Sequence, residues 1–166
     1  MFNVLFICSG NSARSIMAES ILRQDGNGRF QAFSAGCHPK GEVDPMTLKV
    51  LAATGYPTAD LRSKDWHKFE GAGAPAMDFV FTVCDQAAVE AAPVWPGTPM
   101  TAHWGISDPA NVTGNDLDRE RAFVTVLGQM RRRIAAFIAL SDEALQHATV
   151  SAKLHAIGTI TESASS

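Results

Sequence analysis

The chain has 166 residues, enough for one domain with a true interior. Hydrophobic residues make up 46% and charged residues 19%, which sets it apart from disordered chains. A formal net charge of −3 with no basic stripe argues against nucleic acid, and no apolar run approaches the roughly 18 residues of a membrane span. The run Arg131-Arg132-Arg133 falls inside a helical pattern and reads as a solvated face. Val4-Leu5-Phe6-Ile7 is too short, and lacks the basic start, for a signal peptide, so the expected location is the cytoplasm. Three cysteines, Cys8, Cys37 and Cys84, are too few and too scattered for a disulfide framework or a zinc site. In a reducing compartment their plainest reading is three small buried hydrophobes.

In chain order, Asn3–Ile7 predicts a buried strand. It passes through Ser9-Gly10-Asn11-Ser12 into a helix with Ala13, Ile16, Met17 and Ile21 on one face, stopping near Asp25-Gly26. Gln31–Ala35 predicts a second strand. Asp44 is a helix cap followed by Pro45 at the first helical position, and Gly55 sits where that helix ends. Met77–Val83 predicts the third strand, whose consecutive Phe79, Val80 and Phe81 suit a strand covered on both faces. A short helix over Gln86–Ala91 and a weak fourth strand over Pro99–Ala102 follow. After a loop from Trp104 to Asn115, Phe123, Val126, Leu127, Met130, Ile134, Phe137 and Ile138 keep a helical period over four turns. A last helix is expected from about Asp142 to Leu154, with a frayed Ser163–Ser166 tail.

This alternation predicts an α/β fold of three layers, a parallel sheet with helices on both faces. Ligand sites in such sheets lie outside the carboxyl ends of the strands. Cys8, Cys37 and Cys84 each follow a strand, so all three are expected on that one edge. Three core cysteines placed at random would seldom do this.

Cys8 and Arg14 lie six residues apart across Ser9-Gly10-Asn11-Ser12-Ala13, with Ser15 next. The spacing alone is a weak signal. A preceding buried strand, a glycine and a helix start make it a loop whose N–H groups can cradle a tetrahedral oxyanion. Arg14 adds a planar, permanently charged clamp. The same donors, with Ser15, favour a thiolate at Cys8, a nucleophile aimed at phosphorus or arsenic. Asp108, stiffened by Pro109 in the loop after the fourth strand, is placed to protonate a leaving oxygen. By residue type alone, a turn or capping role for Asp108 is the commoner one.

Over about residues 2–140 the chain resembles arsenate reductases of the low-molecular-weight tyrosine-phosphatase fold, the thiol-linked bacterial kind. The resemblance rests on Val4–Ser15, Ser34-Ala35-Gly36, Arg62-Ser63-Lys64, Thr82-Val83-Cys84-Asp85 and His103-Trp104-Gly105 with Asp108-Pro109. It implies a four-stranded sheet of order 2-1-3-4, a catalytic domain over 1–140, and a helical extension and tail over 141–166. It also implies a relay for arsenic detoxification: Cys8 attacks arsenate, Ser9–Ser15 hold the oxygens, Asp108 is the acid, and Cys84 forms a disulfide with Cys8 to release arsenite. The implied reductant is thioredoxin, glutaredoxin or a small thiol, and phosphate or sulfate would compete with arsenate. No cofactor is implied beyond a potassium ion at positions matching Asn11, Glu19, Ser34 and Asp65. Many relatives carry a further cysteine just before Pro-Val-Trp-Pro-Gly, where this chain has Ala92. The disulfide is therefore expected to stay at Cys8–Cys84, with Cys37 dispensable because strand order sets it two spacings from Cys84. The alternatives are a phosphatase of the same fold that ignores Cys84, and a non-catalytic oxyanion-binding regulator.

Overall fold

A computed structural model describes residues 1–90 and 92–160. Ala91 and the Ser163–Ser166 tail named above lie outside the described residues. The strands are β1 (Phe2–Cys8), β2 (Phe30–Gly36), β3 (Phe79–Thr82) and β4 (Met100–His103), all parallel, in the order β2-β1-β3-β4. The helices are α1 (Arg14–Asp25), α2 (Pro45–Ala53), α3 (Asp85–Val89), α4 (Asp116–Ile138), α5 (Asp142–Leu145) and α6 (Val150–Ile157). Two 3-10 turns, Trp66–Phe69 and Pro109–Asn111, complete the set. The predicted sheet order and α/β architecture are those found.

Side chains alternate across the sheet. One face presents Phe79 and Phe81, which meet Phe137 of α4 edge-on at 5.3 Å between ring centroids. Trp104 lies flat on Phe81 at 3.9 Å, so the end of β4 is fixed by aromatic packing. The opposite face has thinner cover: Phe33 of β2 packs on Phe69 at 5.5 Å, and Trp66 on Trp95 at 6.1 Å. Leu145, Val150, Leu154 and Ile157 join the same buried cluster as the strands, so α5 and α6 share the core of the preceding elements.

β1, β2 and β4 differ from their predicted ranges by a residue at each end, and three other elements differ in ways that have a local cause. β3 is shorter than Met77–Val83, although the N–H groups of Asp78 and Val83 still donate to β1 carbonyls of Asn3 and Ile7. α3 begins at Asp85, one residue early, because the Cys84 sulfur caps it. The predicted Asp142–Leu154 helix is two helices, broken where Thr149 Oγ1 lies 2.9 Å from His147 Nδ1, a local side-chain contact that competes with helical bonding. The basic run also departs from expectation. Arg131 lies over the Tyr56 ring at 5.5 Å, whereas Arg133 is buried and donates to the carbonyls of Trp104 (2.6 Å), Gly105 (3.1 Å) and Ile160 (3.1 Å). Helical spacing alone could not reveal those carbonyls, since two of them come from the β4 loop.

Candidate active site

The loop between β1 and α1 owes its shape to its carbonyls. Ser9 O accepts from His38 N (2.8 Å) and Gly10 O from Lys40 N (2.9 Å). Ser12 O accepts from Asp44 N and Thr47 Oγ1, both at 3.0 Å. With these carbonyls turned outward, the N–H groups of Gly10, Asn11 and Ala13 are turned inward, since each peptide unit is planar and trans. Asn11 takes a left-handed backbone with φ 45°, a conformation Asn tolerates better than most residues. Gly36 is required beside it: a Cβ there would sit 2.5 Å from Ser9 O. α1 then starts at Arg14 with no side-chain cap, whereas α2, α4 and α5 are capped by Asp44, Asn115 and Ser141. An uncapped helix end over an inward-facing loop is an anion cradle.

Cys8 lies at its floor, 2% exposed. Its sulfur accepts from Asn11 N at 3.2 Å and lies 2.9 Å from Ser15 Oγ. Ser15 Oγ itself accepts from Asn11 Nδ2 at 2.8 Å, which leaves the hydroxyl proton for Cys8. Both contacts hold the sulfur in place under the loop. Within the predicted loop, Ser9, Gly10, Ser12, Ala13 and Arg14 line a pocket of about 510 Å³. Asn11 and Ser15 are fully buried beneath it, in contact with the Cys8 sulfur.

Arg14 and Asp108 meet at the rim. Arg14 Nη1 donates to Ile106 O at 3.0 Å, and Nη2 lies 3.5 Å from Asp108 Oδ2. Asp108 also caps its own 3-10 turn, accepting from Ala110 N at 3.0 Å, so the capping role and a place at the pocket coexist. His103 does not touch Asp108; its ring spans Thr82 Oγ1 and Asp85 Oδ1, each at 2.8 Å. Arg133, which the sequence reading left on the surface, anchors the Trp104-Gly105 start of this loop.

Cys84 is 3% exposed and lines the same pocket. Its sulfur accepts from Ser9 N at 3.1 Å and from Ala87 N at 3.4 Å. Cys37 follows β2, its N–H donating to Cys8 O at 3.1 Å. Burial pushes the Cys37 thiol up, and the charges of Cys84 and Glu90 add to this, with Ser9 opposing. α3 runs back over this edge, and the residue after it, Glu90, meets His38 at 3.1 Å.

The potassium positions do not form a cation cage. Asn11 Nδ2 donates to Ser34 Oγ, which donates to Glu19 Oε1. The buried Glu19 carboxylate already has Arg23 Nη2 at 2.6 Å and Lys64 Nζ at 3.7 Å. Asn11 Oδ1 accepts from Lys64 N, and Asp65 is engaged in capping the Trp66–Phe69 turn. An ammonium and a guanidinium thus supply the positive charge that an ion would bring.

The sheet edge and the cradle together define a class of protein, cysteine-dependent enzymes acting on tetrahedral oxyanions. The chain belongs to the low molecular weight phosphotyrosine protein phosphatase family, whose pattern matches residues 3–151. It is 30% identical over 134 residues to an arsenate reductase of Halalkalibacterium halodurans, covering 81% of this chain and 93% of that one. Among solved structures, an arsenate reductase in the phosphate binding state superposes with a TM-score of 0.68 at 27% identity, over 84% of this chain and 98% of that one. A low molecular weight protein tyrosine phosphatase from T. tengcongensis shares the fold, with a TM-score of 0.65 at 20% identity over 83% and 98% of the two chains.

Proposed function

We propose that this protein reduces arsenate to arsenite. The Cys8 thiolate attacks As(V) held by the loop amides and the Arg14 guanidinium, and Asp108 protonates the departing oxygen, which leaves as water. The Cys84 thiolate then attacks the Cys8 sulfur. The electron pair of the S–As bond passes to arsenic, giving As(III), and the two thiols become a Cys8–Cys84 disulfide. Arg14 reaches the anion by exchanging its contact with Asp108 for one with the substrate oxygens.

The observation that carries this reading is the position of Cys84, buried on the backbone of the cradle next to the nucleophile's own loop. A phosphatase needs Cys8, Arg14 and Asp108 but has no use for a second thiol there. A purely binding regulator needs neither sulfur. The relatives' names agree with the reductase reading. Cytoplasmic location and a thiol donor follow from the same chemistry, which must begin with both cysteines reduced.

Arsenate-dependent thiol oxidation, run in parallel with thioredoxin, glutaredoxin and a low-molecular-weight thiol, tests it. Turnover with at least one donor, inhibited by phosphate and sulfate, is expected. Phosphomonoester hydrolysis without arsenate turnover for any donor would establish the phosphatase instead.

A further inference from the structure

The geometry points to a metal site beside the cradle, formed by Cys37, His38 and Glu90, that takes a borderline divalent cation, zinc. Cysteine count and spacing gave no hint of it, because one ligand comes from a distant helix end. The ligand atoms of these three side chains lie within 4.8 Å of one another. His38 Nε2 and Glu90 Oε1 are already 3.1 Å apart.

Two of the ligands stand on a fixed base. The N–H groups of Cys37 and His38 donate to Cys8 O at 3.1 Å and Ser9 O at 2.8 Å, which fixes the chain after β2. Glu90 arrives from the end of α3, its own N–H tied to Gln86 O at 3.2 Å. Zinc bonds of about 2.3 Å to sulfur and 2.0–2.2 Å to nitrogen and oxygen imply ligand separations of roughly 3.3–3.8 Å in a tetrahedron. The cluster must therefore contract by about 1 Å. Its two outer members are free to do so, since the His38 and Glu90 side chains are 60% and 36% exposed.

The donor set chooses the cation. One thiolate, one imidazole and one carboxylate suit zinc, whereas magnesium and calcium take oxygen ligands and gain nothing from sulfur. Binding displaces the Cys37 thiol proton and leaves every oxidation state unchanged. Three protein ligands leave a fourth position for water. Loaded zinc would tie the end of α3 to the segment after β2 and so restrain the helix that Cys84 caps.

The test uses the reduced full chain with Cys8→Ser and Cys84→Ser, so that Cys37 is the single thiol, and zinc and cobalt(II) as probes. The expected result is one zinc per chain, with a cobalt-thiolate charge-transfer band in the near ultraviolet. Cys37→Ser should weaken zinc binding at least tenfold and remove the band, and His38→Ala and Glu90→Gln should each weaken binding by about tenfold. Zinc should also slow amide hydrogen exchange in residues 85–90. Saturable binding that survives Cys37→Ser, or no binding below about 100 µM zinc, overturns the site. Exchange unchanged by zinc removes Glu90 from it and overturns the three-ligand geometry. None of these readouts involves arsenate, so failure here and failure of the reductase reading are separate results.

Discussion

The backbone amide of Ser9 and the sulfur of Cys84 are joined by a hydrogen bond of 3.1 Å. The second thiol is therefore held by the same loop that surrounds the first. Thiol-disulfide exchange needs the attacking sulfur close to its target, and this bond supplies that proximity. The bond also fixes the Cys84 sulfur against the backbone of that loop.

Cys84→Ser should abolish multiple-turnover arsenate reduction while hydrolysis of an aryl phosphate stays within about threefold. Attack by Cys8 needs the cradle, Arg14 and Asp108, whereas release of arsenite as drawn above needs the second sulfur. Steady-state rates on both substrates decide the matter. Arsenate turnover at the wild-type rate would mean that an outside thiol attacks Cys8 directly.

Arg14→Lys should lower kcat/KM for arsenate by at least about a hundredfold. Lysine keeps the charge but cannot hold Ile106 O and a planar pair of oxyanion oxygens together. Phosphate competition separates lost binding from lost chemistry, because uniform binding loss raises KM alone.

Gly36→Ala should damage the cradle more than the fold. The added methyl would stand 2.5 Å from Ser9 O and 3.0 Å from Asn11 N, which pushes on the peptide units that face the anion. A stability loss of about 1–3 kcal/mol in urea is expected, together with at least tenfold weaker inhibition by phosphate. Weaker inhibition should persist at temperatures where the variant is fully folded.

Tyr56 donates to Asp25 Oδ2 at 2.8 Å, and burial, followed by this bond and the carboxylate's charge, raises its pKa above the ordinary 10.0. Tyr56→Phe should cost about 1–2 kcal/mol at neutral pH. Because the folded value is the higher one, the unfolded chain loses its proton first as pH rises. The wild-type advantage should hold below pH 9 and shrink above about pH 10. Urea unfolding of both proteins across that range measures it. A difference that grew with pH would show that the assigned hydrogen bond is wrong.

How much of this was legible in the sequence depended on the range of each interaction. Cys8, Cys37 and Cys84 could be placed on one edge because strand ends are local signals and parallel sheets have one functional edge. Arg14 and Ser15 followed from a local loop. Lys64 at Glu19, Arg133 under the Trp104 loop and Glu90 at His38 were not readable, since each pairs residues far apart in the chain. The four proposed potassium positions were correct as neighbours for Asn11, Glu19 and Ser34 but gave no sign of the lysine among them. The break between α5 and α6 was missed for the opposite reason: it lies where the amide and hydroxyl of Thr149 both meet the His147 ring, inside an otherwise helical pattern.

The β4 loop that carries Asp108 is held from the far end of the chain. Trp104 Nε1 donates to Leu154 O at 2.9 Å, and Arg133 spans the carbonyls of Trp104, Gly105 and Ile160. Among the described residues, no hydrogen bond joins α6 to Cys8 or to the loop after it. A disturbance at the C-terminal helix would therefore reach the acid and, through Ile106 O, the Arg14 clamp, while Cys8 keeps its own contacts with Asn11 and Ser15.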